Sequence, residues 1–162
     1  MSSDSDSTTE AQNNPSTVVI GAGPAGLSAA VFAARAGFET TVIEDGSSIL
    51  RRNAHLENFL GFPAGVNSRL LLDMGREQAK SSGAEFVDAD VRAVERAEDG
   101  FVVRLDDGKH EADWVVVASW ADASIVETLD LETTQQGSKT YVETEDGRTS
   151  IEGLYVAGRI AG

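Results

Sequence analysis

This chain of 162 residues contains no cysteine, which excludes disulfides, thiolate metal sites and any cysteine-based redox relay within it. Lysine is scarce, limited to Lys80, Lys109 and Lys139, and proline occurs three times. Thirteen Lys and Arg face 27 Asp and Glu, giving a formal charge of −14. Nucleic acid and anionic membrane both demand positive patches, so neither is an expected partner. An acid excess with little lysine and much alanine fits a halophilic protein, whose self-repulsion dense salt screens. No apolar run approaches the ~20 residues that span a bilayer. Residues 1–15 are rich in Ser, Asp and Thr, with neither a basic start nor a hydrophobic segment. They are expected to form a disordered acidic tail, not a signal peptide, and a cytoplasmic location follows by default.

What is present is concentrated at Gly21–Gly26, the run GAGPAG. A β-type run, Thr17–Ile20, enters it and an alanine-rich helical run, Ala25–Ala36, leaves it. A glycine turn between a strand and a helix N-terminus is the arrangement that cradles a dinucleotide's pyrophosphate. Gly21 permits the tight turn, and Gly23 lets backbone amides approach phosphate oxygens. Gly26 lets helix and strand pack closely. Pro24 suits the first helical turn, where an N–H would have no helix partner. Ala22 and Ala25 complete the loop, and the helix dipole favours an anion there. A second apolar strand, Thr40–Ile43, ends in Glu44, 23 residues after Gly21. That is close to the ~20-residue spacing of the acid that accepts from an adenosine ribose. An acid there also repels a 2′-phosphate.

Further on, a helix is expected over Asn67–Ser82, capped by Asn67 or Ser68, with Leu70, Leu71 and Met74 on its apolar face. Glu85–Val87 reads as a third parallel strand. Val91–Glu95, Phe101–Leu105 and Lys109–Ala112 are short strands joined by Asp-Gly turns, a small antiparallel β-meander. Trp114–Ala118 is a continuous apolar run, as in a strand buried on both faces. Ser119–Lys139 reads as loop with a helical turn near Ser124–Leu129, and Thr140–Glu143 and Leu154–Ala157 complete the strands. The expected class is α/β, a central parallel sheet with that meander, forming a single domain over residues 16–162. Leu154–Ala157 again runs into a glycine, Gly158, and the helix expected to follow it finds no residues left to build it.

These segments together resemble the FAD-binding domain of the thioredoxin-reductase-like pyridine nucleotide disulfide oxidoreductases. Four carry the resemblance in family order: VVIGAGPAGLSAAVFAARAG (Val18–Gly37), VIE (Val42–Glu44), ENFLGFP (Glu57–Pro63) and IEGLYVAG (Ile151–Gly158). The resemblance implies a Rossmann-like FAD/NAD(P)-binding fold with FAD as cofactor. Gly21–Gly26 would take the pyrophosphate, Glu44 the adenosine ribose and Asn58 the flavin region. Val91 would meet the adenine through its backbone, and Gly158 would approach the ribityl-phosphate arm. Electrons would come from diffusible NAD(P)H or from a partner, because a second dinucleotide site is not evident, and a homodimer or a partner chain would close the flavin site.

The chain also departs from that family. Only Ser119–Lys139 stands where complete reductases carry an NAD(P)H domain with the CxxC, so thioredoxin reduction is not expected. Ala118-Ser119-Trp120 replaces a small-residue motif, Ser47-Ser48-Ile49 a glycine-rich flavin loop, and Arg159 an aspartate. Arg159 reads either as a pyrophosphate partner or as a surface arginine, and Arg51 and Arg52 are equally open. Trp120 reads as a flavin-stacking ring or as packing, while His55 and His110 have no identifiable chemical partner. Three functions remain: a single-domain FAD-dependent oxidoreductase, a non-catalytic FAD or nucleotide module, and a fragment of a larger flavoprotein.

Overall fold

A computed structural model describes residues 13–120 and 123–162. β1 (Ser16–Ile20), α1 (Pro24–Arg35) and β2 (Glu39–Glu44) form the first crossover, and α2 (Ser68–Ser81) leads from β2 to β3 (Glu85–Asp88). β4 (Val91–Arg96), β5 (Phe101–Leu105) and β6 (Gly108–Ala112) form the antiparallel meander, and β7 (Trp114–Val117) returns to the main sheet. β8 (Thr133–Gln136) and β9 (Lys139–Val142) pair as a separate hairpin, and β10 (Leu154–Val156) is the last strand. The central sheet is parallel throughout, in the order β10-β7-β1-β2-β3. The class is therefore α/β with a small antiparallel sheet. Of the acidic tail, residues 1–12 lie outside the described residues. Pro15 is already tied in, its carbonyl accepting from Glu39 N at 3.0 Å.

Strand alternation divides the core in two. Val18, Ile20, Ile43, Val115, Val117, Leu154 and Val156 pack with Val94, Phe101 and Val103 of the meander. Val19 and Val42 turn to the opposite face, against Leu27 and Ala30 of α1 and Leu72 and Ala79 of α2. The layers are thus helices, sheet and meander. Trp114 stacks on Tyr155 with ring centroids 6.0 Å apart on the helix face of β7 and β10.

Helix α2 begins where expected, with Asn67 Oδ1 accepting from the amides of Arg69 and Leu70. Its inner face differs from the expected one. Leu70 and Met74 are about half exposed, and the buried positions are Ser68, Leu72 and Ala79. Gly75 decides this, because it is the point at which α2 closes on Leu27 of α1. Thr133–Gln136, expected as loop, is strand β8; it is fully exposed and stands by its pairing with β9. Thr140–Glu143 correspondingly belongs mostly to that hairpin, not to the central sheet. The polar stretch after β2 contains a 3₁₀ turn at Ile49–Arg52.

The tightest contact between elements is at Gly26. A Cβ there would lie 1.9 Å from the Gly21 carbonyl oxygen, whereas one at Gly75 would meet only the Leu27 Cδ1 methyl at 3.0 Å. Gly26→Ala is therefore expected to cost about 2 kcal/mol or more through overpacking against backbone. Gly75→Ala should cost little, since a side-chain end can move and helix propensity improves. Urea unfolding of both variants checks the contrast.

Candidate functional site

The carboxyl ends of the parallel strands form the floor of a cleft of about 680 Å³, within the range of small-molecule sites. Ladder bonds run to its edge: Gly21 N donates to Ile43 O at 2.9 Å, Ala118 N to Ile20 O at 2.8 Å, and Ala157 N to Val117 O at 2.9 Å. Chain order reverses between β1 and β7, so the cleft lies at the topological switch point, where open α/β sheets bind ligands.

Gly21 has φ +101°, and a Cβ on it would sit 2.7 Å from Ala118 O, so only glycine lets β1 and β7 end side by side here. Gly23 is the N-cap of α1 and Pro24 its first residue. A Cβ on Gly23 would meet only Ser48 Oγ, at 3.7 Å, on the cleft side. Among the described residues, no backbone carbonyl accepts from the amides of Ala22, Gly23, Ala25 or Gly26. These donors stand at a helix N-terminus and favour an anion. The Gly21 amide differs, being used to hold β1 to β2.

Of the residues expected to bind a cofactor, Gly21, Ala22, Gly23, Pro24, Ala25, Glu44, Val91, Gly158 and Arg159 line the cleft. Gly26 lies behind them as the helix–strand contact. Gly158, at φ +74°, approaches α1 so closely that a Cβ would stand 2.8 Å from Ala25 Cβ. Asn58 is not brought to the cleft. It is exposed on the loop closed by the Leu56–Val66 bridge. His55, on the same loop, packs against Gly65 instead of entering the cleft.

Glu44 ends β2 with 7% of its surface exposed. Its Oε1 is fully buried and abuts the Arg76 guanidinium from α2, an ion pair between the strand end and the helix. Arg76 also lies 3.8 Å from Asp88 Oδ1 and, through Cζ, 4.4 Å from the Phe86 ring centroid. Arg159 is exposed but anchored: its Nη2 donates to Tyr141 Oη at 3.1 Å, with Cζ 5.2 Å from that ring. Trp120, also lining the cleft, has Lys139 Nζ 5.4 Å from its ring centroid. Hairpin β8–β9 thus supplies both supports.

Arg76 and Tyr141 were not singled out from sequence. Arg76 could have been found by continuing the Leu72–Ala79 helical face, on which it falls between the two. Tyr141 had no local signal.

Fold and cleft together define an α/β protein with a helix N-terminus opening onto a cleft at the end of its first crossover. Residues 15–88 match the family model described as pyridine nucleotide-disulphide oxidoreductase. The thioredoxin reductase of Aquifex aeolicus (strain VF5) is 40% identical over 107 residues, which is 64% of this chain and 33% of that protein. That of Bacillus subtilis (strain 168) is 34% identical over 107 residues, covering 65% and 34%. Among solved structures, the atypical thioredoxin reductase TRi from Desulfovibrio vulgaris Hildenborough superposes with a TM-score of 0.62 at 34% identity, over 67% of this chain and 37% of that one. The chain is thus similar to the thioredoxin-reductase-like FAD/NAD(P)-binding domains of this family, and it spans about a third of the length of those curated relatives.

Asp45 follows Glu44 on the cleft wall. Partial burial raises its pKa, but hydrogen bonds from the Ser47 hydroxyl and amide outweigh this, leaving the carboxyl below its ordinary value. A depressed carboxyl contributes stability above its ordinary pKa, and that contribution is lost as pH falls through the lowered value. Ser47→Ala should therefore move the Asp45 titration upward, and NMR of the carboxyl carbon against pH reads the shift.

Proposed function

We propose that the cleft binds FAD and that the chain is the flavin-holding unit of a thioredoxin-reductase-like oxidoreductase. The carrying observation is the set of amides at Ala22, Gly23, Ala25 and Gly26 from which, among the described residues, no backbone carbonyl accepts, beside a buried acid on the next strand. Amides and helix dipole suit a diphosphate, and Glu44 suits a ribose diol. Val91 borders the same cleft and fits an adenine. Arg159, steadied by Tyr141, suits a phosphate oxygen.

When bound, the isoalloxazine supplies the electron chemistry, while the protein binds and orients it. Diffusible NAD(P)H is the proposed donor. Thioredoxin is not the proposed acceptor of this chain alone, because the chain has no cysteine. The same absence supports a second reading, a flavin or nucleotide module without turnover. A second copy or a partner chain covering the flavin end belongs to either reading.

Purified chain in molar salt is expected to be yellow and to release FAD on denaturation. Glu44→Ala and Arg159→Ala should each weaken FAD retention by roughly tenfold, the scale of one charge-assisted hydrogen bond. Anaerobic bleaching by NADH or NADPH would mark an oxidoreductase, and no bleaching with either would favour the non-catalytic module. A folded, colourless protein that takes up no FAD would sink the proposal.

A further inference from the structure

We propose that Arg76 is a positioning residue for Glu44, and that the pair restricts the sugar end of the cleft to a dinucleotide whose adenosine ribose carries no 2′-phosphate. The inference rests on the cleft being a dinucleotide site.

Arg76 is held on three sides. Its guanidinium abuts Glu44 Oε1, lies 3.8 Å from Asp88 Oδ1, and covers the Phe86 ring at 4.4 Å. Phe86 and Asp88 belong to β3, paired with β2 in register: Val42 opposite Phe86 and Glu44 opposite Asp88. One arginine from α2 therefore clamps the ends of two adjacent strands. Arg76 does not line the cleft, whereas Glu44 does. Its charge thus lies behind the acid and faces two carboxylates.

Two consequences follow. With Oε1 buried against Arg76, the carboxylate cannot rotate freely, and Oε2 is the oxygen left for a sugar hydroxyl. A carboxylate held in one orientation accepts more strongly than a mobile one, since its ordering cost is met before the ligand arrives. A guanidinium near an adenosine ribose would ordinarily welcome a 2′-phosphate. Here that charge is cancelled by Glu44 and Asp88. Asp45 and Asp90 line the same cleft and add two further acids. Arg92 lies 3.9 Å from Asp90, but it makes its hydrogen bonds to Asp106 on the exposed meander. A 2′-phosphate would meet three cleft-lining acids, Glu44, Asp45 and Asp90, while the cleft-lining cations among the described residues are Arg52 and Arg159, neither of them from α2.

The two residues have opposite expected signatures. Calorimetric titration of the nucleotide-stripped chain with adenosine 5′-diphosphate and with its 2′-phosphorylated form measures both affinities. The unaltered chain should prefer the unphosphorylated ribose by at least about tenfold. Arg76→Met should loosen adenosine diphosphate by about tenfold while still rejecting the 2′-phosphate, and Arg76→Lys should recover part of that loss. Glu44→Gln should instead collapse the preference, because it releases the arginine toward a phosphate. Far-UV circular dichroism confirms that each variant is folded. An unchanged affinity and ratio in Arg76→Met, or an undiminished ratio in Glu44→Gln, overturns the role of Arg76 and leaves the cleft reading standing. A folded, unaltered chain that binds neither adenosine diphosphate nor FAD overturns the cleft reading itself, and this inference with it.

Discussion

The first turn of α1 presses onto the Gly21 carbonyl, and the rest of the site depends on that approach. Backbone meets backbone at Gly26 with no space for a methyl group. The contact fixes how the helix leaves the strand and therefore where its free amides stand. The same economy recurs nearby, with Gly21 against Ala118 and Gly158 against Ala25. Three close approaches bring the carboxyl ends of β1, β7 and β10 together around one helix N-terminus. A Cβ at any of the three would push these elements apart and widen the cleft floor. The glycine pattern is thus a packing requirement first, and the anion-binding geometry follows from it.

The first crossover was legible in the sequence because each local signal agreed with the others. A β-branched strand, a glycine turn, Pro24 at the helix start and Gly37 past its end leave few alternatives. The meander was equally plain, since Asp-Gly turns set the register of alternating strands. The inner face of α2 was not. Leu70, Leu71 and Met74 form as apolar a stripe as Leu72 and Ala79, and only the notch at Gly75 against Leu27 selects between them. Strand β8 was hidden for another reason: Thr-Thr-Gln-Gln has no apolar alternation, and its order comes from pairing with β9. Of the cleft, the glycines and the strand-end acid were legible, because they carry a local pattern. The side chains that brace it, Arg76 and Tyr141, act across sequence separations that periodicity does not reach.

The cleft carries charge of both signs. Glu44, Asp45 and Asp90 line it from β2 and the approach to β4, Arg52 from the 3₁₀ turn after β2, and Arg159 from the turn after β10. In a chain of formal charge −14, a cation held by a tyrosine at the mouth of a helix N-terminus is a localised exception. It matches the positive end of the α1 dipole in sign, so the two reinforce each other toward an anion. A ligand that suits both ends has a negative middle and a neutral, hydroxyl-bearing end, and that charge pattern is narrower than shape alone imposes.

The burial of Glu44 bears on stability. Taking a carboxylate out of water costs several kcal/mol, and a buried ion pair recovers that cost only with good geometry and further hydrogen bonds. Here neighbouring Asp88 competes with Glu44 for the same guanidinium. Such a pair is a poor stabiliser, and an apolar residue at the end of β2 would pack with less penalty. The strand end thus carries a buried acid at a cost to the free protein, offset in part by the arginine that α2 brings against it.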